Sequence, residues 1–331
     1  MRYYTTSAEL IKNTEHFFKI KKYYFFTHIK PDTVFVGWGR KRSGKRAERL
    51  AQKYQKPFLL LEDGFVRSVG LGVDGAKSFS IVEDDLGIYY DATAPSKLEN
   101  LLKEYDFKSD RRLMKKANKA IANIKKYKIS KYNLTSLQLP NYLKSEGMKV
   151  LIVGQTGGDA SLTYGMATTD TTAMIKDAQQ DYPNAEIYVK VHPDVLSGKK
   201  SSNIDMAYAQ QHCSVIVENI NPLVLLDAFD VVYTQTSQMG FEALLLGKRL
   251  HLYGMPFYAG WNIPNITMAL QQTKIENVMQ RRDRTLTIEE VFAGAYILYT
   301  RYAHPNDKRE IDILETIDLI KAQRDINEVE I

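Results

Sequence analysis

Along this chain, short apolar runs alternate with amphipathic helical stretches, the pattern that builds parallel sheets covered by helices. Thr33 to Val36 reads as a strand ending at Gly37-Trp38-Gly39, and an amphipathic helix from Ser43 to Gln55 follows. Pro57 to Leu61 reads as the next strand and runs straight into Glu62-Asp63-Gly64. Phe79 to Val82 and Gly87 to Tyr90 flank the acidic turn Glu83-Asp84-Asp85 and predict a hairpin. Pro95-Ser96 opens a helix through about Tyr105, with Ser96 as its cap.

The polar stretch from Asn133 to Gly147, which holds Pro140, is expected to be an interdomain linker. Beyond it the alternation restarts with Val150 to Val153, whose unbroken apolar character predicts a strand buried on both faces. Gly154 breaks that strand into the loop Gln155-Thr156-Gly157-Gly158-Asp159. Further strands are expected at Glu186 to Val191, Ser214 to Val217, Val231 to Thr234 and Arg249 to Tyr253, and a largely helical tail after about Leu286. The periodicity fixes the class as α/β. The organisation expected is two Rossmann-like domains, 1–140 and 147–290, with a tail at 291–331 that returns to the first. Facing each other across a cleft, two such domains would make the GT-B architecture of many nucleotide-sugar transferases.

The length of 331 residues suits two domains, and 44% hydrophobic with 25% charged residues is ordinary for a globular protein. No apolar run is long enough to span a bilayer and the N-terminus lacks the apolar core of a secretory signal, so a cytoplasmic location is expected. Cys213 is the only cysteine, which excludes an intrachain disulfide. His16, His28, His192, His212, His251 and His304 stand apart, so no metal site and no cofactor are expected. No GxSxG elbow points to a hydrolase.

The net charge of +6 is uneven: Lys108 to Lys131 carries ten Lys or Arg against the single acid Asp110. This basic helix reads either as a solvated face or as a surface drawn to anionic lipid, which would make the protein peripheral on an inner membrane, or to acidic polysaccharide. Nucleic acid is not expected, because no binding motif accompanies the charge.

Ligands of open α/β sheets bind beyond the carboxyl ends of the strands, and those ends carry the distinctive residues here. Gly39-Arg40-Lys41-Arg42-Ser43-Gly44-Lys45 nearly spells a phosphate-binding loop, but Arg46 replaces the metal-binding hydroxyl. An anion-binding turn and a purely structural turn both remain open. Glu62 and Asp63, with Arg67 close behind, offer either a general base or a structural ion pair. Asp159 should project at the sheet edge or cap the helix that starts near Ser161. His192-Pro193 closes another strand, and Thr236-Ser237-Gln238 with Gly240 and Glu242 opens a helix of the kind that receives phosphate.

Several long segments, in order, resemble the retaining β-Kdo transferases of Gram-negative capsule synthesis, the KpsC type, and above all their N-terminal module. They are GWGRKRSGKRAERLA at Gly37, LEDGFVRSVGLGVDG at Leu61, GIYYDATAPSKLE at Gly87, SKYN at Ser130 and GQTGGDASLTYG at Gly154. VKVHPDVLSGKK at Val189, TSQMGFEALLLGK at Thr236, YGMPFYAGW ending at Trp261 and AYILYTRY at Ala295 complete them. Kdo is an eight-carbon ulosonic sugar acid. The resemblance implies a GT-B fold, CMP-β-Kdo as donor and transfer to a Kdo-terminated glycolipid or Kdo-oligosaccharide, in the company of other capsule biosynthesis proteins.

It also implies retention through a covalent aspartyl-Kdo adduct on Asp159, with Glu62 as the second catalytic carboxylate. The expected donor side comprises Gln155, Ser161, Lys190, His192, Pro193, Thr236, Ser237, Gln238, Gly240 and Glu242. The expected acceptor or anion side comprises Arg40, Ser43, Gly44, Lys45, Asp63 and Arg67. Relatives of this type carry two transferase modules, whereas one is seen here. The competing readings are a sialyltransferase-like enzyme using another CMP-sugar and a non-catalytic polyanion-binding protein.

Overall fold

The computed structural model describes residues 1–72, 75–167, 170–191, 195 and 201–329. The chain divides into two compact units. The first is formed by 1–89, 94–134 and 289–331, and the second by 90–93 and 135–288.

In the first unit, β1 (Arg2–Thr5), β2 (Ile20–Lys22), β3 (Thr33–Trp38) and β4 (Phe58–Asp63) run parallel, and β5 (Ser80–Asp84) is antiparallel to β4. β1 lies between β2 and β3, so the chain reverses its direction of sheet growth there. The helix Arg42–Tyr54 covers β3, burying Ala47 and Ala51 against Phe35. Its close approach depends on glycine: a Cβ on Gly44 would sit 1.8 Å from the Gly39 carbonyl oxygen, and one on Gly37 would sit 2.4 Å from the Gly44 Cα.

The second unit is built on β6 (Lys149–Val153), β7 (Glu186–Lys190), β8 (Ser214–Ile216), β9 (Val231–Thr234), β10 (Arg249–Leu252) and β11 (Ile266–Met268). All six are parallel, in the order β11-β10-β9-β6-β7-β8. Val150 to Val153 of β6 are buried, as their apolar character requires, and Lys149 at its start is buried with them. The order is that of a dinucleotide-binding Rossmann sheet, with its topological switch point between β6 and β9. The described chain is thus α/β with two parallel-rich sheets.

After the second unit the chain adds β12 (Thr300–Tyr302), which pairs antiparallel with β5. A helix, Ile313–Val329, then packs on the basic helix Arg111–Tyr127. The tail is therefore not purely helical, because β12 completes the first sheet at its edge.

The hairpin expected around Glu83-Asp84-Asp85 does not form. Asp84 is fully buried and organises the chain instead: Oδ1 accepts from the Leu86, Gly87 and Lys97 amides, and Oδ2 accepts from the Tyr299 hydroxyl at 2.8 Å. A carboxylate that must serve a helix start and a tyrosine cannot lie in an exposed turn. The stretch expected to be a bare linker is structured as well. Asn133 is buried in the first unit and bonds Ser68 and Ser130, while Ser136 exchanges backbone bonds with Asn219 and Asn221 in the second.

Candidate active site

At the end of β4, Glu62 and Asp63 meet two different environments. The Trp38 indole N–H donates to Glu62 Oε1 at 2.7 Å, and the Asp63 amide donates to the same oxygen at 3.2 Å. Asp63 Oδ1 takes the Arg67 Nε at 2.7 Å, and Arg67 itself is buried, donating further to Ser68 Oγ and the Ala76 carbonyl. Burial pushes the Glu62 carboxyl up to about 7, and the neighbouring Asp63 charge adds to the rise against Lys41 and Lys131. Burial alone would lower the Lys131 ammonium, yet Tyr89, Tyr132, Asp63 and Glu62 outweigh it and hold Lys131 above the ordinary lysine range. One carboxylate is thus fixed as an ion pair, and its neighbour is held near neutrality with a proton to exchange.

The near phosphate-loop is tied down internally. Ser43 Oγ accepts from the Trp38 amide at 3.1 Å, Gly44 is occupied in backbone packing, and Arg40 pairs with Glu48. Lys45 is exposed on the following helix. Trp38 connects this turn to Glu62, while Asp63 and Arg67 stand beside it, so these residues form one neighbourhood within the first unit.

In the second unit the loops after β6 and β9 meet at the switch point. Gln155 is buried and bridges them: its Oε1 accepts from the Thr236 amide at 2.9 Å, and its Nε2 donates to Thr236 Oγ1 at 3.1 Å and Ser161 Oγ at 3.3 Å. The Ser161 and Thr236 hydroxyls are 3.0 Å apart. Asn203 braces the pair from outside, accepting from the Gln155 amide and donating to Gln235 Oε1 at 2.7 Å.

Asp159 adjoins this arrangement as the cap of the short helix Ala160–Tyr164, its Oδ1 accepting from the Ser161 amide at 2.9 Å. That cap fixes the carboxylate's direction at the β6 end. Ser237 caps the helix Gln238–Leu245, its Oγ accepting from the Met239 amide, and its carbonyl takes the Tyr258 hydroxyl at 2.6 Å. Gly240 admits that tyrosine, since a Cβ there would lie 2.2 Å from the hydroxyl. Glu242 is buried one turn on, and Gln238 Nε2 lies 3.4 Å from its Oε1. Lys190, at the end of β7, is buried, donates to the Val191 carbonyl at 2.9 Å, and is pulled down to about 8 by burial, opposed by Glu218. His192 and Pro193 lie outside the described residues. Among the described residues no group of three or more His, Cys, Asp or Glu could hold a metal ion.

The structure therefore gathers Gln155, Asp159, Ser161, Thr236 and Ser237 at one switch point, and Glu62, Asp63 and Arg67 at the β4 end of the first unit. Sequence reasoning missed Trp38 as the Glu62 donor, Lys131 as its electrostatic partner, and Asn203 with Gln235 as braces. Trp38 and Lys131 sit inside quoted motifs, but Asn203 is 48 residues from Gln155 and carries no local signal.

Comparison with known proteins places the chain. The family described as "Capsule polysaccharide biosynthesis protein" matches residues 33–302. "Capsule polysaccharide modification protein LipA" of Neisseria meningitidis serogroup B is 40% identical over 304 residues, 90% of this chain and 42% of LipA. "Lipopolysaccharide-processing protein LpsZ" of Rhizobium meliloti is 36% identical over 271 residues, 81% of this chain and 59% of LpsZ. The chain spans about half the length of these curated relatives. Among solved structures, "Thermosulfurimonas dismutans KpsC, beta Kdo 2,4 transferase" matches with a TM-score of 0.87 and 38% identity, covering 97% of this chain and 98% of that one. The corresponding "beta Kdo 2,7 transferase" matches at 0.74 and 28%, over 97% and 99% of the two chains. On the family match and these identities, this chain belongs to the capsule polysaccharide biosynthesis protein family.

Proposed function

We propose that this chain is a retaining glycosyltransferase that moves Kdo from CMP-β-Kdo to a Kdo-terminated glycolipid in capsule synthesis. The observation that carries the reading is the likeness along nearly the whole chain to a β-Kdo transferase, at a TM-score of 0.87 and 38% identity. The lesser likeness to the 2,7 enzyme supports the acceptor's 4-hydroxyl as the site of attachment. The reading takes the fold as GT-B type, with the second unit binding the donor and the first the acceptor.

The proposed chemistry is a double displacement. Asp159 attacks the anomeric carbon of Kdo, a carbon–oxygen bond forms, the bond from that carbon to the phosphate oxygen breaks, and CMP leaves. The acceptor hydroxyl then attacks the same carbon, Asp159 departs as carboxylate, and the hydroxyl proton passes to Glu62. Two inversions restore the β configuration. The hydroxyls of Ser161, Thr236 and Ser237, the helix start at Gln238, Lys190 and the His192-Pro193 pair would hold the CMP, Gln155 would orient them, and Gly240 and Glu242 would shape the helix beneath. CMP is itself a competent leaving group, so no metal or cofactor enters the scheme.

The test is incubation with enzymatically generated CMP-Kdo and a short Kdo-terminated lipid. A mass gain of one Kdo unit in the acceptor and, without acceptor, on the peptide containing Asp159 is expected. Turnover with CMP-sialic acid but not CMP-Kdo would replace the donor, and an adduct mapped to Glu62 would exchange the two carboxylate roles.

A further inference from the structure

Tyr24, Phe25 and Phe26 are the only consecutive large hydrophobic side chains exposed among the described residues, at 52%, 89% and 72%. They are not a loose end. The Thr27 amide donates to the Tyr24 carbonyl at 2.8 Å and the Tyr24 amide to Thr27 Oγ1 at 2.9 Å, closing a tight turn with Phe25 and Phe26 at its tip. The Tyr24 and Phe26 rings stack at 5.3 Å, and Phe25 meets Phe26 edge-on at 5.2 Å. The base is anchored on both sides: Tyr23 packs on Phe35 and its hydroxyl lies 3.0 Å from that of Tyr54, and Ile29 joins the same cluster. Exposed aromatics held this firmly point to a partner, since the folded chain gains nothing by displaying them.

The surrounding charge says which partner. From Lys19 to Pro31 the chain carries Lys19, Lys21, Lys22 and Lys30 and no acid. Lys22 donates to the Thr6 carbonyl, while Lys19, Lys21 and Lys30 are exposed. The nearest acid in sequence, Asp32, is occupied by Arg2 at 2.8 Å. A convex apolar tip flanked by lysines matches a bilayer whose headgroups are anionic: rings enter the acyl boundary and ammonium groups stay at the phosphates. A protein partner fits less well, because three side chains on a tip fall far short of the roughly 800 Å² a stable interface covers on each side.

The geometry points to the turn Tyr24-Phe25-Phe26 as a membrane-inserting element that docks the first unit on anionic lipid. Vesicle association is read without donor or acceptor, so its failure is distinguishable from failure of the transferase reading. The full chain is mixed with phosphatidylglycerol-containing vesicles and, separately, with phosphatidylcholine vesicles, then sedimented. Binding to the first is expected, and the Phe25→Ser/Phe26→Ser double variant should lose on the order of tenfold or more in affinity with its thermal melt unchanged. Replacing Lys19, Lys21 and Lys30 by Gln should remove the preference for anionic vesicles. Phe25→Trp should shift its emission to the blue only when those vesicles are present. Wild-type protein that stays in the supernatant, an unshifted tryptophan, or a double variant that sediments like wild type would overturn the assignment. So would a dimer, seen by analytical ultracentrifugation, that the double variant abolishes.

Discussion

The strand-end sites of the two units are built from opposite materials. In the first, Glu62, Asp63, Arg67 and Lys131 bring four charged groups into one partly buried neighbourhood, where burial and then the Asp63 charge raise the Glu62 carboxyl to about 7 against Lys131. In the second, Gln155, Ser161, Thr236, Asn203 and Gln235 form a neutral network of amides and hydroxyls, joined to Asp159 through its cap on the Ser161 amide. A charged, desolvated cluster stores a titratable proton. A neutral, cross-braced one holds donors and one carboxylate in fixed directions without charge of its own, which suits an anionic ligand that brings charge with it.

The largest effect that would break this contrast is at Asp159. Asp159→Asn keeps the size and much of the helix cap but removes the proposed nucleophile, so transfer should fall by about a thousandfold or more while CMP affinity and the melting temperature hold. Calorimetry with CMP beside a turnover assay separates the two. Retained turnover would leave the cap as the residue's whole role.

Glu62 comes next. If it accepts the hydroxyl proton, transfer should rise with pH through about 7, and Glu62→Gln should cost about a hundredfold or more and flatten that limb. The stability effect has the opposite sense. A carboxyl raised in the folded state contributes stability that is full below its unfolded value near 4.5 and is lost as pH climbs through about 7. Glu62→Gln should therefore gain on wild type by about 1 kcal/mol between pH 5 and pH 8, a figure reduced for partial exposure and for compensation by Lys131. Denaturant melts at the two pH values read it directly.

These two sites differ in how visible they were in sequence. β3, β4, β6, β7, β9 and β10 are long or apolar enough to show as runs, and all but β10 carry candidate site residues at or just beyond their ends. β1, β2, β11 and β12 have three or four residues and were not read from the sequence, although β8 of three residues was, so the first sheet's switch point beside β1 was not legible. Motif residues such as Glu62 and Asp159 could be singled out. Their state could not, since the Glu62 rise comes first from burial that only the fold creates, with Asp63 adding to it and Lys131, brought close by the same fold, opposing it. The Asp84 hub failed for the same reason, because its partner Tyr299 is 215 residues away.

The neutral network predicts a moderate effect. Thr236→Val removes a hydroxyl that Gln155 and Ser161 both engage, leaving the buried Gln155 amide short of a partner. CMP affinity should drop about tenfold and stability by about 1 kcal/mol. A loss of affinity in Ser237→Ala without any change in the melt would locate the phosphate contact at the helix start. Equal changes in both variants would assign them a structural role alone.

The smallest effect is expected on the basic helix, and it sets that helix against the aromatic turn within the same unit. Leu113, Ala117, Ala120, Ile121 and Ile124 bury one face of Arg111–Tyr127. Lys116 pairs with Asp312 at 2.9 Å, and Arg324 donates to the Tyr127 and Lys128 carbonyls at 2.8 and 3.2 Å, closing the helix C-terminus where a cation is favoured. Part of the helix's charge is therefore spent on holding the returning tail. Lys116→Met should lower stability by only about 0.5 kcal/mol, because both partners are partly exposed. The exposed Lys115 and Lys126 make no such pair among the described residues, and Lys115→Gln/Lys126→Gln should leave turnover on a soluble acceptor intact. That double variant should weaken binding to phosphatidylglycerol vesicles by about threefold or less, against the order of magnitude expected for the turn. A larger loss from the helix than from Phe25→Ser/Phe26→Ser would reverse the ranking and make the helix the principal lipid contact.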